Sequence, residues 1–150
     1  MNLADNLNKV LSNIELAKKN SKGKTESVKL VAVSKNHSVD KIQEVLLENH
    51  FVFGENRVQE LEDKYEHLSK EIEWHMIGHL QTNKVKYIAD KVSLIHSLDR
   101  FRLAKEIDKR MRPLEKKMPC LIQVNIAKEE SKFGVYVEDL RDLIDRVSRL

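Results

Sequence analysis

The chain has 150 residues, 41 % of them hydrophobic and 34 % charged, with a net charge of +3; this fits one well-solvated domain with a real core. The 27 Lys and Arg and 24 Asp and Glu are spread along the chain, so no basic patch marks a nucleic-acid partner. A single cysteine, Cys120, excludes an internal disulfide framework and a cysteine-based metal site; no run nears the ~20 apolar residues of a membrane span, and no signal-peptide pattern opens the chain, so a cytoplasmic setting is expected.

In chain order, Leu3, Leu7, Val10, Leu11, Ile14 and Ala17 form one apolar stripe, predicting a helix over residues 2–20. Ser21-Lys-Gly-Lys-Thr25 is expected to break it. Short apolar runs of strand type follow at Leu30–Ser34, Phe51–Phe53, Trp74–Ile77, Val92–Ile95 and Leu121–Ile126. Each precedes a stretch with helical spacing: Val39 to Leu46, Val58 to Leu68, Val85 to Ala89, Leu103 to Met111, and Val137 to Val147. Ser38, with Asp40 behind it, reads as a helix start, and Asn56 with Gln59 reads as a capping box. Gly54 and Gly78 are expected in strand-end turns of positive φ.

Strand–helix alternation predicts an α/β fold with a parallel sheet. Runs such as Leu30-Val-Ala-Val are apolar on both faces, as a covered sheet requires. Two architectures fit: an open doubly wound sheet, or a (βα)8 barrel of TIM type with about its first five βα units in this chain. The last helix reaches Leu150 with no glycine cap or breaker, which reads as a chain cut short and as one incomplete domain over residues 1–150.

The chemistry gathers where the strands end. Ser34-Lys-Asn-His37, Gly54-Glu-Asn-Arg57, Gly78-His-Leu-Gln-Thr-Asn-Lys84, His96-Ser-Leu-Asp99, and Asn125 with the loop to Gly134 all sit there. Ligands bind at that edge in α/β sheets and barrels. Lys35 closes a buried-type strand and shares a pleat face with Val31 and Val33. A partly desolvated amine there suits attack on an aldehyde. His75 and His79 are four apart but read as strand, where that spacing spans ~13 Å and does not make a zinc pair. His79 and His96 have two open readings, ligand contact or hydrogen bonds to loop backbone. His50 and His67 read as solvated helix-end residues. Cys120, heading an apolar run, reads as a small buried hydrophobe. Ser131-Lys-Phe-Gly134 reads as a structural loop end.

Val31-Ala-Val-Ser-Lys35, Phe53-Gly-Glu-Asn56 with Val58-Gln-Glu60, and Glu73-Trp-His-Met-Ile-Gly-His-Leu-Gln-Thr-Asn-Lys84 resemble blocks of the pyridoxal phosphate homeostasis protein family. Ile95-His-Ser-Leu-Asp99 and Gln123-Val-Asn-Ile126 with Glu129 to Gly134 extend the resemblance across residues 28–140. It implies a (βα)8 barrel like the N-terminal domain of alanine racemase. It implies pyridoxal 5'-phosphate held as a reversible aldimine on Lys35, with Asn56 beside the cofactor. His79 and Asn125, at strand mouths, join them as expected cofactor contacts. It implies a carrier or regulator of the cofactor pool with no catalysis of its own, and PLP-dependent apoenzymes as partners. Family members are longer, and their late loops cradle the phosphate, so reduced affinity is expected here, together with self-association through an open sheet edge. The alternatives are a racemase-like enzyme on small amino acids, for which none of Tyr65, Tyr87 and Tyr136 lies at a strand mouth, and a basic nucleic-acid or protein-binding module.

Overall fold

The computed structural model describes residues 2–23 and 27–150. Lys24 and Thr25, part of the expected helix breaker, lie outside the described residues. Helix α1 (Leu3–Asn20) starts at a true capping box: the Asn2 side chain accepts from the Asp5 N–H at 2.8 Å, and the Asp5 carboxylate accepts from the Asn2 N–H. It buries Leu7 and lies against α2.

Five βα units follow. They are β1 (Ala32–Val33) with α2 (Val39–Leu47), β2 (Val52–Glu55) with α3 (Val58–His67), β3 (Glu73–Met76) with α4 (Val85–Ile88), β4 (Val92–Leu98) with α5 (Phe101–Met111), and β5 (Cys120–Ile122) with α6 (Leu140–Val147). All strand pairs are parallel, in the order β1-β2-β3-β4-β5. A doubly wound sheet reverses its order at a switch point; this one does not. Right-handed crossovers in a sequential order put every helix on one face. The core shows it: Ile42, Leu61, Ile88 and Leu103 from the helices meet Phe53, Trp74, Met76 and Ile95 from the strands. Among the described residues the other face has no helical cover, and Val33 and Leu121 there are 49 % and 51 % exposed. The molecule is a five-unit arc of a βα barrel.

The edge strands are shorter than their apolar runs. Each pairs on one side only, so β1 keeps two residues and β5 three, while the doubly flanked β4 extends to Leu98. Asn56 is not a helix cap. The N-cap of α3 is Arg57 and makes no side-chain cap bond, because Asn56 is still held at the strand exit against Gly78. Ser38 is the N-cap of α2 by geometry, without a side-chain bond. Gly54 and Gly78 do not have positive φ; among the described glycines only Gly134 does, at 128°. What positions 54 and 78 require is space. A Cβ at Gly54 would meet Val31 and Ile77 at 3.1 Å, and one at Gly78 would lie 2.3 Å from the Asn56 carbonyl oxygen.

Candidate functional site

In a parallel sheet, residues in register share a face. Val33 pairs with Gly54, Gly54 with His75, and His75 with Leu94, forming one layer of the uncovered concave face. The ladder continues through Ser34 N–H to the Gly54 carbonyl (3.1 Å) and Ile77 N–H to the Glu55 carbonyl (2.9 Å). Beyond this layer Asn56, Ile77 and His96 follow at the exits of β2 to β4, while Lys35 lies in the turn that the His37 N–H closes on the Ser34 carbonyl at 3.0 Å. Gly78 sets the β2–β3 exit, since any side chain there would push the Asn56 backbone away.

The expectation of a sheltered Lys35 amine is not met: Lys35 is exposed. The strand it follows is the sheet edge: among the described strands β1 pairs with β2 alone. Its side chain has no hydrogen-bond or ion-pair partner among the described residues.

A polar chain crosses the same face below it. His75, 2 % exposed, has Nδ1 3.0 Å from His96 Nε2 and Nε2 3.0 Å from Glu73 Oε1. Glu73 also accepts from Lys29 Nζ at 2.6 Å. Bonds from Lys29 and His75 hold the Glu73 carboxyl below its usual range. His96 titrates below an ordinary histidine because burial, then the neighbouring His75, disfavours its cation. His96 therefore bonds another ring rather than loop backbone.

His79 sits at the β3 exit, stacked on Phe133 with ring centroids 3.6 Å apart and planes 15° apart. Asp99 Oδ2 lies 3.5 Å from its Nδ1. The alignment makes no hydrogen bond, so that nitrogen is buried without a partner. Burial lowers the His79 pKa; Asp99 opposes the shift and Arg100 adds to it. Arg100 pairs with Asp99 and donates to the Leu80 carbonyl at 2.8 Å, fixing the β4 exit. His79 and Asn56 line one cavity of about 240 Å³ with Arg57, Gln59, Gln81 and Lys84. Lys35 stands outside it.

Asn125, 6 % exposed, is committed to its own loop. Its Nδ2 donates to the carbonyls of Glu129 (2.9 Å) and Lys132 (3.3 Å), and its Oδ1 accepts from the Glu129 N–H (3.2 Å). That loop, with Gly134 at its end, carries Phe133 onto His79. Within the Ser131–Gly134 segment the Lys132 carbonyl accepts from Asn125 and Gly134 packs against the Asn125 backbone. Cys120 is half-buried, packs against the core, and has its thiol pushed up to about 11 by burial.

Sequence reasoning passed over two groups. One is the Glu73–His75–His96 chain. The other lies on the helical side, where fully buried Glu55 pairs with Lys64 Nζ at 2.6 Å. Both had a signal: Glu55 shares parity with core Phe53, and Lys64 falls three after Leu61 and four before Leu68, on the core stripe. Among the described residues no group of His, Cys, Asp or Glu is arranged to hold a metal, and no helix is long and apolar enough to cross a membrane.

Residues 6–150 match the family described as alanine racemase, N-terminal domain. The pyridoxal phosphate homeostasis protein of Aquifex aeolicus is 44 % identical over 146 residues, covering 97 % of this chain and 64 % of that protein. Its namesake from Helicobacter pylori is 46 % identical over 125 residues, covering 81 % and 55 %. The solved structure of PipY from Synechococcus elongatus with PLP bound is similar at a TM-score of 0.75 and 32 % identity, covering 93 % of this chain and 64 % of that one. The chain spans less than two thirds of the length of these relatives. Five sequential parallel βα units, a rim of polar strand ends and a match over nearly the whole sequence lead to one assignment: the chain belongs to the alanine racemase N-terminal domain family.

Proposed function

We propose that this chain binds pyridoxal 5'-phosphate, with the Lys35 amine as the group that captures the cofactor's aldehyde, and that it serves as a carrier or buffer of the cofactor without acting on amino acids. The observation that carries the reading is at the strand ends: an exposed lysine amine without a partner among the described residues, in the turn after β1 at the rim where β2 ends in Asn56 and β4 carries His96. That is the end at which βα barrels bind ligands.

The donor set fits. Lys35 offers the primary amine an aldehyde requires. Asn56 offers an amide at the same rim, and His79 offers a buried nitrogen that lacks a partner. Asn125 serves by latching the fifth-strand loop that seats Phe133 on His79. When bound, the cofactor supplies an electrophilic aldehyde on an electron-withdrawing ring. The name carried by the Aquifex and Helicobacter relatives and the PLP in the PipY structure support the ligand. Chemistry on amino acids needs a second acid or base facing the lysine. Tyr65 and Tyr87 lie on α3 and α4, on the helical side of the sheet, and are not placed to act as that group. Delivery to PLP-dependent apoenzymes, a reducing cytoplasmic setting for the free Cys120, and self-association through the unpaired edges of β1 and β5 complete the reading.

The test is a titration with pyridoxal phosphate followed by visible absorbance, in the native chain and in Lys35→Ala. A saturable band of the condensed aldehyde in the first and none in the second is expected. Equal spectra would remove Lys35 from the role.

A further inference from the structure

We propose that Glu55, Lys64 and Glu60 form a positioning clamp for Lys35, built on the opposite side of the sheet from its amine; this rests on the reading of Lys35 as the cofactor-capturing group. Glu55 and Glu60 lie in the blocks that carry the family resemblance, which assigns neither a role; Lys64 lies outside them.

Lys35 lies between two residues that are each held from behind. Ser34 is tied twice: its Oγ donates to Glu55 Oε1 at 2.6 Å, and its carbonyl accepts from Lys64 Nζ at 2.9 Å. Asn36 is tied once, its N–H donating to Glu60 Oε2 at 2.9 Å, in a left-handed backbone conformation with φ 61°. Lys64 Nζ closes the group, 2.6 Å from Glu55 Oε1 and 3.4 Å from Glu60 Oε2. Two carboxylates and one ammonium from β2 and α3 therefore grip the chain on both sides of Lys35.

Stability does not account for this. Glu55 is 0 % exposed and Lys64 5 %, and Glu55 Oε2 is buried without a partner. Apolar residues of similar volume at two such positions commonly stabilise a fold as well or better. What a buried ion pair with directed bonds does supply is one defined geometry. The place that needs it is here. β1 is an edge strand with two residues of regular pairing, too short to fix the turn that follows it. The clamp supplies the constraint the ladder lacks, and it does so from the covered face, leaving the concave face free for the amine.

The test uses the full chain treated with pyridoxal phosphate, followed by borohydride. The lysine amine adds to the aldehyde with loss of water, hydride from borohydride reduces the C=N bond, and the label becomes permanent. Peptide mass spectrometry then gives the ratio of label at Lys35 to label at Lys105, an exposed lysine on α5. In the native chain Lys35 is preferred. Glu60→Ala and the double variant Glu55→Leu/Lys64→Met are expected to retain their helical circular dichroism and lose at least about tenfold in that ratio, as a misplaced reacting group does. Glu60→Gln, which keeps an acceptor oxygen for Asn36, is expected to recover most of it. A merely structural role would change labelling at both lysines together and leave the ratio alone. Should the double variant not fold, Glu60→Ala decides. A native ratio near one defeats the reading of Lys35 and the clamp with it. A native preference that survives in the folded variants defeats the clamp alone.

Discussion

A methyl group at position 78 would lie 2.3 Å from the Asn56 carbonyl oxygen and 2.7 Å from its Cα. Neither atom can move without opening the β2–β3 exit, so Gly78→Ala is expected to lose roughly 1–3 kcal/mol, the usual range for forced overpacking, seen as a lower urea midpoint. The Glu55–Lys64 pair makes a sharper contrast. Lys64→Ala leaves a buried carboxylate alone and should lose about 3–5 kcal/mol, whereas Glu55→Leu/Lys64→Met should come close to native stability; equal losses in chemical denaturation would contradict this. At this scale the pleat of the first strand told which face Val33 takes, and the apolar run told that Lys35 follows a strand. It did not tell its exposure, because that depends on what flanks β1 and covers the concave face. Gly54 and Gly78 stood out in the sequence for a conformational reason, but their requirement is one of space, set by Val31, Ile77 and Asn56, which flank the neighbouring strands.

The loop after β5 is an element held by one side chain. Asn125 makes three bonds within it. Asn125→Ala removes these bonds to the backbone of Glu129 and Lys132, at a local loss of about 0.5–1.5 kcal/mol each. The expected signature is faster proteolysis between Ala127 and Lys132 with the core helices still intact. Unchanged cleavage would mean that the loop is held by Gly134 and Phe133 alone. Element positions were largely legible, since each apolar run and each helical stripe named a real strand or helix. Their lengths were less so. Apolar patterning reports what is buried, while pairing also needs a neighbour, and β1 and β5 have one each. The Asn56–Gln59 pattern mimicked a capping box because a strand exit and a helix start share residue types, and tertiary packing on Gly78 decided between them.

At the scale of the molecule, alternation in the sequence established the parallel sheet but could not choose between a doubly wound sheet and a barrel arc; strand order and the one-sided core decide it. The same one-sided burial sets how stability depends on pH. His79 and His96 both titrate below the ordinary 6.5, chiefly through burial. Protons then bind the unfolded chain more readily, so their contribution is complete above 6.5 and is lost as pH falls through the lower folded values. Glu60 and Glu73 lie below the ordinary 4.5, held by the Asn36 N–H and by Lys29, and their contribution is lost in the same sense at still lower pH. The urea midpoint should therefore fall from about pH 7 to about pH 5 and fall again below about pH 4; a flat profile would contradict the placement of these groups. For the binding reading itself, the most direct observation is a crystal of the chain grown with pyridoxal phosphate. Electron density running unbroken from Lys35 Nζ into the ring, beside Asn56 on the concave face, is the expected result. Density on another lysine, or an unmodified Lys35 in a crystal that holds the cofactor elsewhere, would contradict it.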